Sequence, residues 1–592
     1  MVAIVVLCVF AAFILGYRFY ARFIGERIYQ DREEMVTPAY ELEDGQDYVP
    51  TNKHILFGHH FTSIAGAAPI IGPCIASYWG VLPALLWIVL GTIFIGAVHD
   101  FGALVLSIRS GARSVAEIAG SVITPRVRLM FFAFVIMVTW LVLAVFAMAI
   151  AGLFVGQPGS VLPVNIGTLI ALGMGFLLYK LKVGALLPSL VALGLLYFFT
   201  WFGAQNPIDF TQPAGEAILG MGWSTQEATS FWVVFLFLYA GVASLLPVWM
   251  LLQPRDYINS HQLMVGLFLL FAGIVWANPT IDAPWVREDA TGVDPSAPPI
   301  FPFLFVTIAC GAISGFHALV ASGTTSKQLK SMKDARMIGY GSMLGEGLLA
   351  TATVLAAVAG IALVGECTLP GGRFIQDLDW ATYYDTWSNA SSSSSGAFVE
   401  GGAAFLTQLG FGSGFAKTMM AVLVVSFAAT TLDTATRITR LIVAELGGAV
   451  RIKPLQNRFI ATVVALAPAL LLVFSSAYDP SIGEEREVGW ILWPIFGASN
   501  QMLAALTLMV LVLYFWQRRR PVMPLVIPML VIIGITITAL ILKIGQFSGQ
   551  GNWYLVGISC VLLVLILWML FEGLAMVTRG RGPSEDTSES NT

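Results

Sequence analysis

Four of the six histidines, His59, His60, His99 and His317, fall inside apolar runs long enough to cross a bilayer. An ionisable side chain is costly there and ordinarily lines a polar cavity or a proton path. Imidazole changes charge near neutral pH, so reversible protonation is the chemistry these residues offer without a cofactor. Any one of them can equally be a neutral ring bonded to a backbone carbonyl; four together point to a path. Other polar groups share their surroundings. His99 and Asp100 adjoin in GAVHDF, roughly 100° apart on a helix, which predicts that only one faces the interior. Glu346 lies among small residues in GSMLGEGLLATATV, placed either to carry a proton or to be solvated at a helix end. Asp433 and Arg437 have the i,i+4 spacing of a self-neutralising pair, expected as a salt bridge near the cytoplasmic end of their helix.

The backbone around these groups is irregular. In GHHFTSIAGAAPIIGPC, Pro69 and Pro73 lack an amide, and with Gly66, Ala67 and Gly72 they predict a broken helix. Where a membrane helix restarts, its open amides and positive dipole end attract an anion; a kink packed through small residues explains the same pattern. In LLPVWMLLQPRDYINS, Pro247 and Pro254 predict a second break with Gln253 and Arg255 beside it. The Arg255 fork fits a carboxylate, or marks the cytoplasmic boundary. Ser314, His317, Ser322, Thr324 and Thr325 in ISGFHALVASGTTSKQL supply hydroxyls for Na⁺ or a substrate oxygen, or simply satisfy their own helix.

The elements that position these residues are membrane helices. The 592 residues are 57% hydrophobic and 11% charged, with mean hydropathy +0.81, where soluble domains carry roughly 25% charge. About fifteen spans are expected, at 1–20, 58–80, 81–108, 127–154, 161–180, 184–203, 229–252, 260–278, 301–322, 340–365, 413–437, 459–476, 488–516, 522–543 and 553–577. Their length excludes a β-barrel, and the first run has no signal-peptide flanks and reads as a retained span. Five scattered cysteines indicate neither a disulfide framework nor a zinc site. No basic stripe suggests nucleic acid. No HExxH, GxSxG or P-loop motif suggests an enzyme, so no catalytic residue, cofactor or metal ligand is assigned.

Loops rich in Lys and Arg alternate with acidic or neutral ones, which places the N-terminus outside and the C-terminus in the cytoplasm. Residues 1–57 form a first span and a cytoplasmic loop, the polar stretch Asp31 to Lys53. Breaks in the second and seventh spans, five apart and oppositely directed, suggest a five-plus-five inverted repeat. Its halves would be 58–203 and 204–437, followed by C-terminal helices at 438–578 and a disordered tail at 579–592. The Ser-rich WSNASSSSSGAF reads as a flexible external loop.

The run DGQDYVPTNKHILFGHHFTSIAGAAPIIGP, followed in order by GAVHDF, LPVWMLLQPRDYINS, ISGFHALVASGTTSKQL and WPIFGASNQMLAALTL, closely resembles the carbon starvation A (CstA) family of bacterial membrane transporters. The resemblance implies an all-α, LeuT-like fold of the amino acid-polyamine-organocation superfamily with extra helices, in the bacterial inner membrane. It also implies ion-driven import of small organic nutrients, pyruvate and peptides being the associated substrates. The expectation is a symporter, H⁺-coupled before Na⁺-coupled, for a small carboxylate such as pyruvate; the alternatives are a short-peptide importer and a membrane nutrient sensor. The substrate would sit against Gly66, Ala67, Pro69, Gly72 and Pro73, with His59, His60, Pro247, Gln253 and Arg255 contributing. Ion or proton coupling would fall to His99, Asp100, Ser314, His317, Ser322, Thr324, Thr325, Glu346 and Asp433.

Overall fold

A computed structural model of the chain describes residues 1–368, 373–392, 394–479, 484–487 and 491–578. Arg579, Arg581 and the polar tail lie outside the described residues. The helices are α1 Val2–Tyr29, α2 Lys53–Ile64, α3 Ala68–Ala76, α4 Val81–Arg109, α5 Pro125–Gly156, α6 Pro158–Tyr179, α7 Leu186–Gln205, α8 Thr225–Leu245 and α9 Leu252–Ala277. They continue with α10 Ile300–Thr307, α11 Gly315–Gly323, α12 Met332–Leu363, α13 Ser413–Ala449, α14 Arg458–Phe474, α15 Trp493–Gln517, α16 Met523–Gly549 and α17 Trp553–Thr578. Shorter helices and two antiparallel two-stranded ribbons occupy the loops.

Twelve of these helices are long and apolar enough to cross a membrane, and the bent pair α2 and α3 makes thirteen. The sequence expectation of about fifteen also counted residues 301–322 and 459–476. The first is split into α10 and α11, each too short to span alone, and the second is the shorter apolar helix α14.

The break in the second span is present. Asn52 caps α2 by accepting from the His54 amide at 2.9 Å. The helix ends at Ile64, and α3 begins at Ala68 with Pro69 in its first turn, where no amide is needed. The two halves meet at a 44° bend.

The second break is not where the prolines predicted it. Pro247 lies in the turn after α8, and Pro254 sits in the first turn of α9, so both flank a helix–helix connection and neither interrupts a span. The break falls instead in the ninth span, at residues 308–314 between α10 and α11, which corrects the spacing of five on which the repeat was reasoned. The two broken segments pack backbone to backbone. A Cβ on Gly72 would collide with the Thr307 carbonyl, and one on Gly311 would stand 3.5 Å from Pro73 and 2.7 Å from Ala350. Small residues permit this approach.

The polar stretch before α2 is fastened to the basic loops. Asp31 receives Arg336 at 2.7 and 2.9 Å, Glu34 receives Lys333 at 2.7 Å, and Asp47 receives Arg437 at 3.0 Å. The Thr51 amide donates to the Gln328 carbonyl at 3.0 Å. One end of the bundle therefore gathers the basic connections around this segment. The Ser-rich tract is not a flexible loop: Trp387–Ser392 and Ser394–Gln408 are helical, and Ala397 and Phe398 are buried.

Gly72→Ala is expected to destabilise the protein by about 1–3 kcal/mol through overpacking. Thermal unfolding in detergent should show a lowered midpoint, whereas Gly534→Ala, whose Cβ meets nothing within 4 Å, should not.

Candidate functional site

Two clusters of buried polar groups occupy the bundle beside the broken helices. The first joins α2, α8, α9, α11 and α13. Arg255, at the start of α9, grips Asp433 of α13 with both arms of its guanidinium, at 2.5 and 2.9 Å. Tyr239 from α8 donates to the same carboxylate at 3.3 Å. A further Arg255 bond, 3.2 Å long, reaches Asp256, whose other oxygen lies 2.6 Å from His59 Nδ1. The far nitrogen of His59 stands 3.2 Å from Thr324 Oγ1, just past the end of α11. Arg255, Asp256, Asp433 and His59 are buried, so each charge depends on its partner for the solvation that the membrane interior withholds. A cavity of about 20 Å³ opens beside Arg255 and Asn259, lined also by Ser426 and Ala429. That is room for about one water.

The second cluster joins α4, α11, α12 and α15. Asp100 lies 2.8 Å from His99 Nδ1 through one oxygen and 2.8 Å from His317 Nδ1 through the other. The opposite nitrogen of His317 is 3.2 Å from Glu346 Oε2. Asn500 of α15 holds the restart of α11: its side-chain oxygen accepts from the Phe316 amide at 2.9 Å, and its nitrogen donates to Ser314 Oγ at 2.9 Å. The same nitrogen is 3.4 Å from Cys310 Sγ, in the unwound segment. His60 lies next to these groups along α2, with Nδ1 2.9 Å from Thr325 Oγ1.

Several sequence expectations are thereby corrected. Asp433 does not pair with Arg437: the two carboxylate oxygens of Asp433 are taken by Arg255, while Arg437 is held by Asp47 and the Ala243 carbonyl. Helical spacing identified neighbours on one helix, but partners from other helices offered better geometry. Arg255 marks no solvated boundary, and its fork already holds an internal carboxylate. His99 and Asp100 both point inward and bond to each other, because this turn of α4 is enclosed on all sides and residues 97–108 are all buried.

Other candidates are brought less close. Gln253 belongs to a separate network with Thr51, Gln328 and Tyr179. Ser322 bonds back to the Ala318 carbonyl within its own helix. Gly66 and Ala67 line the first break, where a Cβ on Gly66 would meet Thr431 Oγ1 at 2.5 Å and Phe146 at 2.8 Å. Asp256, Tyr239, Asn500, Asp47 and Cys310 were missed or left without a role. Asp256 stood beside Arg255 in the sequence, but the remaining four carry no local signal and are recruited by packing.

The family assignment follows from comparison with known proteins. A model described as carbon starvation protein CstA matches residues 1–539. The chain belongs to the CstA family. The peptide transporter CstA of Helicobacter pylori (strain ATCC 700392 / 26695) is 33% identical over 574 residues, covering 90% of this chain and 80% of the relative. That of Bacillus subtilis (strain 168) is 32% identical over 554 residues, covering 89% and 88%. The pyruvate/proton symporter BtsT of Escherichia coli (strain K12) is 32% identical over 603 residues, covering 91% and 81%. Among solved structures, a manganese transporter of Eremococcus coleocola matches with TM-score 0.47 and 13% identity, covering 90% of this chain and 99% of the other, too weak a likeness to carry an argument. The protein is thus a multi-pass CstA-family transporter of the bacterial inner membrane and not an enzyme.

Removing one partner of the Arg255–Asp433 pair leaves a bare charge in a dry site, so Arg255→Met should cost about 3–5 kcal/mol. Replacing both, as Arg255→Met with Asp433→Leu, should recover most of that loss. The check is the thermal midpoint of the three variants in detergent beside the parent protein.

Proposed function

We propose that the protein is a secondary active transporter that imports short peptides by proton symport, opening alternately around its two broken helices. The observation that carries the reading is the buried chain His59–Asp256–Arg255–Asp433, which ties the first broken helix to α9 and α13. A proton exchanged on His59 or Asp256 would change the charge balance of this chain and hence the contact between those helices. The one-water cavity beside Arg255 is far smaller than a dipeptide, so admitting one requires these helices to separate.

Peptide is placed ahead of pyruvate, reversing the order expected from sequence, because the Helicobacter and Bacillus relatives are named peptide transporters. Pyruvate is the second reading, supported by the Escherichia coli pyruvate/proton symporter of similar identity, which also supports protons ahead of Na⁺. In either case the substrate carboxylate would face the restart of α3 beyond Gly66 and Ala67, where a helix N-terminus suits an anion. The orientation proposed is the one given by the basic loops, with the N-terminus outside and the C-terminus in the cytoplasm.

The five-plus-five inverted repeat is proposed in a corrected register. Its first half runs from α2/α3 to α7, its second from α10/α11 to α15, and α8 and α9 are interposed. The broken spans support this, since α2 leaves the basic end of the bundle at Lys53 and α11 returns to it at Lys327.

Proteoliposomes given a labelled dipeptide or labelled pyruvate, under proton and sodium gradients imposed separately, test the reading. Dipeptide accumulation under the proton gradient alone is expected; gradient-independent equilibration of both solutes would sink it. Asp256→Asn is expected to lower proton-driven uptake by about tenfold, equivalent to ~1.4 kcal/mol, while solute exchange without a gradient persists.

A further inference from the structure

We propose that Cys310, His317 and Glu346 form a binding site for a zinc-class divalent cation. Cys310 comes from the unwound segment before α11, His317 from α11 and Glu346 from α12, and all three are buried. Their Sγ, imidazole nitrogen and carboxylate oxygen lie within 4.8 Å of one another.

The geometry of the polar atoms points to a shared ligand. His317 Nε2 and both Glu346 oxygens lack a hydrogen-bond partner, although Nε2 and Oε2 are only 3.2 Å apart. Close approach without hydrogen-bond alignment is what two donors to a third centre show. Zinc bonds nitrogen and oxygen at about 2.0–2.2 Å, and tetrahedral placement around such a centre sets neighbouring donors roughly 3.3–3.5 Å apart.

The surroundings match what a metal-bound histidine needs. His317 Nδ1 faces Asp100 at 2.8 Å. A carboxylate there fixes the tautomer that presents Nε2 as a lone pair, the usual outer partner of a ligating histidine. Asp100 is itself steadied by His99. Asn500 Nδ2 donates toward Cys310 Sγ at 3.4 Å, a contact that suits a thiolate, and in the metal-free chain the Cys310 thiol donates to Ser314 Oγ at 3.4 Å.

Charge and softness select the ion. Among the described residues, the ion-pair contacts of Glu346 and Asp100 are to histidines and to no Lys or Arg. The Cys310 thiolate and the Glu346 carboxylate carry two negative charges, which one dication offsets inside the bilayer, while the Asp100 carboxylate is shared between His99 and His317. Sulfur with imidazole and carboxylate favours Zn²⁺ over Mg²⁺, Ca²⁺ or Na⁺, whose preference is for oxygen alone. Three protein donors leave a fourth position open. A bound metal would take His317 and Glu346 out of the proton-carrying role expected from sequence, and it would brace the second broken helix against α12. Occupancy is independent of which solute is carried, so this site stands or falls apart from the transport reading.

The test uses the full-length protein purified in detergent, stripped with a chelator and re-equilibrated with Zn²⁺ or Co²⁺. Elemental analysis should find one zinc per chain, and the cobalt form should show thiolate-to-cobalt charge-transfer absorption. Cys310→Ser should abolish that absorption, His317→Gln and Glu346→Gln should abolish zinc retention, and Asp100→Asn should weaken zinc affinity by about 10–100-fold. Cys74→Ser, at a buried cysteine outside the cluster, should retain both signals. Monodisperse parent protein that takes up neither metal would overturn the proposal, as would zinc and cobalt signals that persist in monodisperse Cys310→Ser and His317→Gln.

Discussion

A bilayer offers no water to a freed carbonyl or a bare carboxylate, so every irregularity in a membrane helix must be answered by another helix. In this protein that requirement converges on two interruptions, at residues 65–67 and 308–314. Glycines bring the interrupted segments into backbone contact, and Asn500 supplies the side chain that holds the restart of α11. The buried charges lie on the helices that flank these interruptions, His59 on α2, His317 on α11 and their partners on the helices packed against them. Loosening this junction would leave several buried polar groups without partners at once, which holds the two segments together.

The two clusters answer the same constraint differently. Around Arg255 a cation is present, and three groups from α8, α9 and α13 close on it: Tyr239, Asp256 and Asp433. Around Glu346 the partners are histidines, and several polar atoms face one another without bonding. In the first network both carboxylates and both ends of the Arg255 fork find partners within the chain. The second is the cluster for which a divalent cation is proposed as the shared partner.

The N-terminal polar stretch has a structural part beyond linking two spans. Its acidic residues Asp31, Glu34 and Asp47 hold basic residues from loops and helices distant in sequence. Asp47 holds Arg437 while the Arg255 fork holds Asp433, so the polar stretch takes part in the pairing of the buried charges. Burial makes that choice matter, since an ion pair in low dielectric is far stronger and far more costly to leave half-made than one in water.

Composition and hydropathy alone determined that the chain is an all-helical membrane protein, and the Pro and Gly pattern alone located the break after His59 and His60. The motifs in order identified the CstA family, and His59, His99, Asp100, His317 and Glu346 were marked as unusual because any ionisable group in an apolar run is unusual. Tertiary structure decided the rest. It moved the second break from Pro247 and Pro254 to residues 308–314, because Pro254 costs nothing in the first turn of a helix while Gly72 allows an approach to the Thr307 carbonyl that no local rule announces. It gave Asp433 to Arg255 and Arg437 to Asp47, and it drew Cys310 and Asn500 into the site from segments about 190 residues apart. Period and propensity describe one helix at a time, whereas partnership between buried charges is settled by which helices lie side by side.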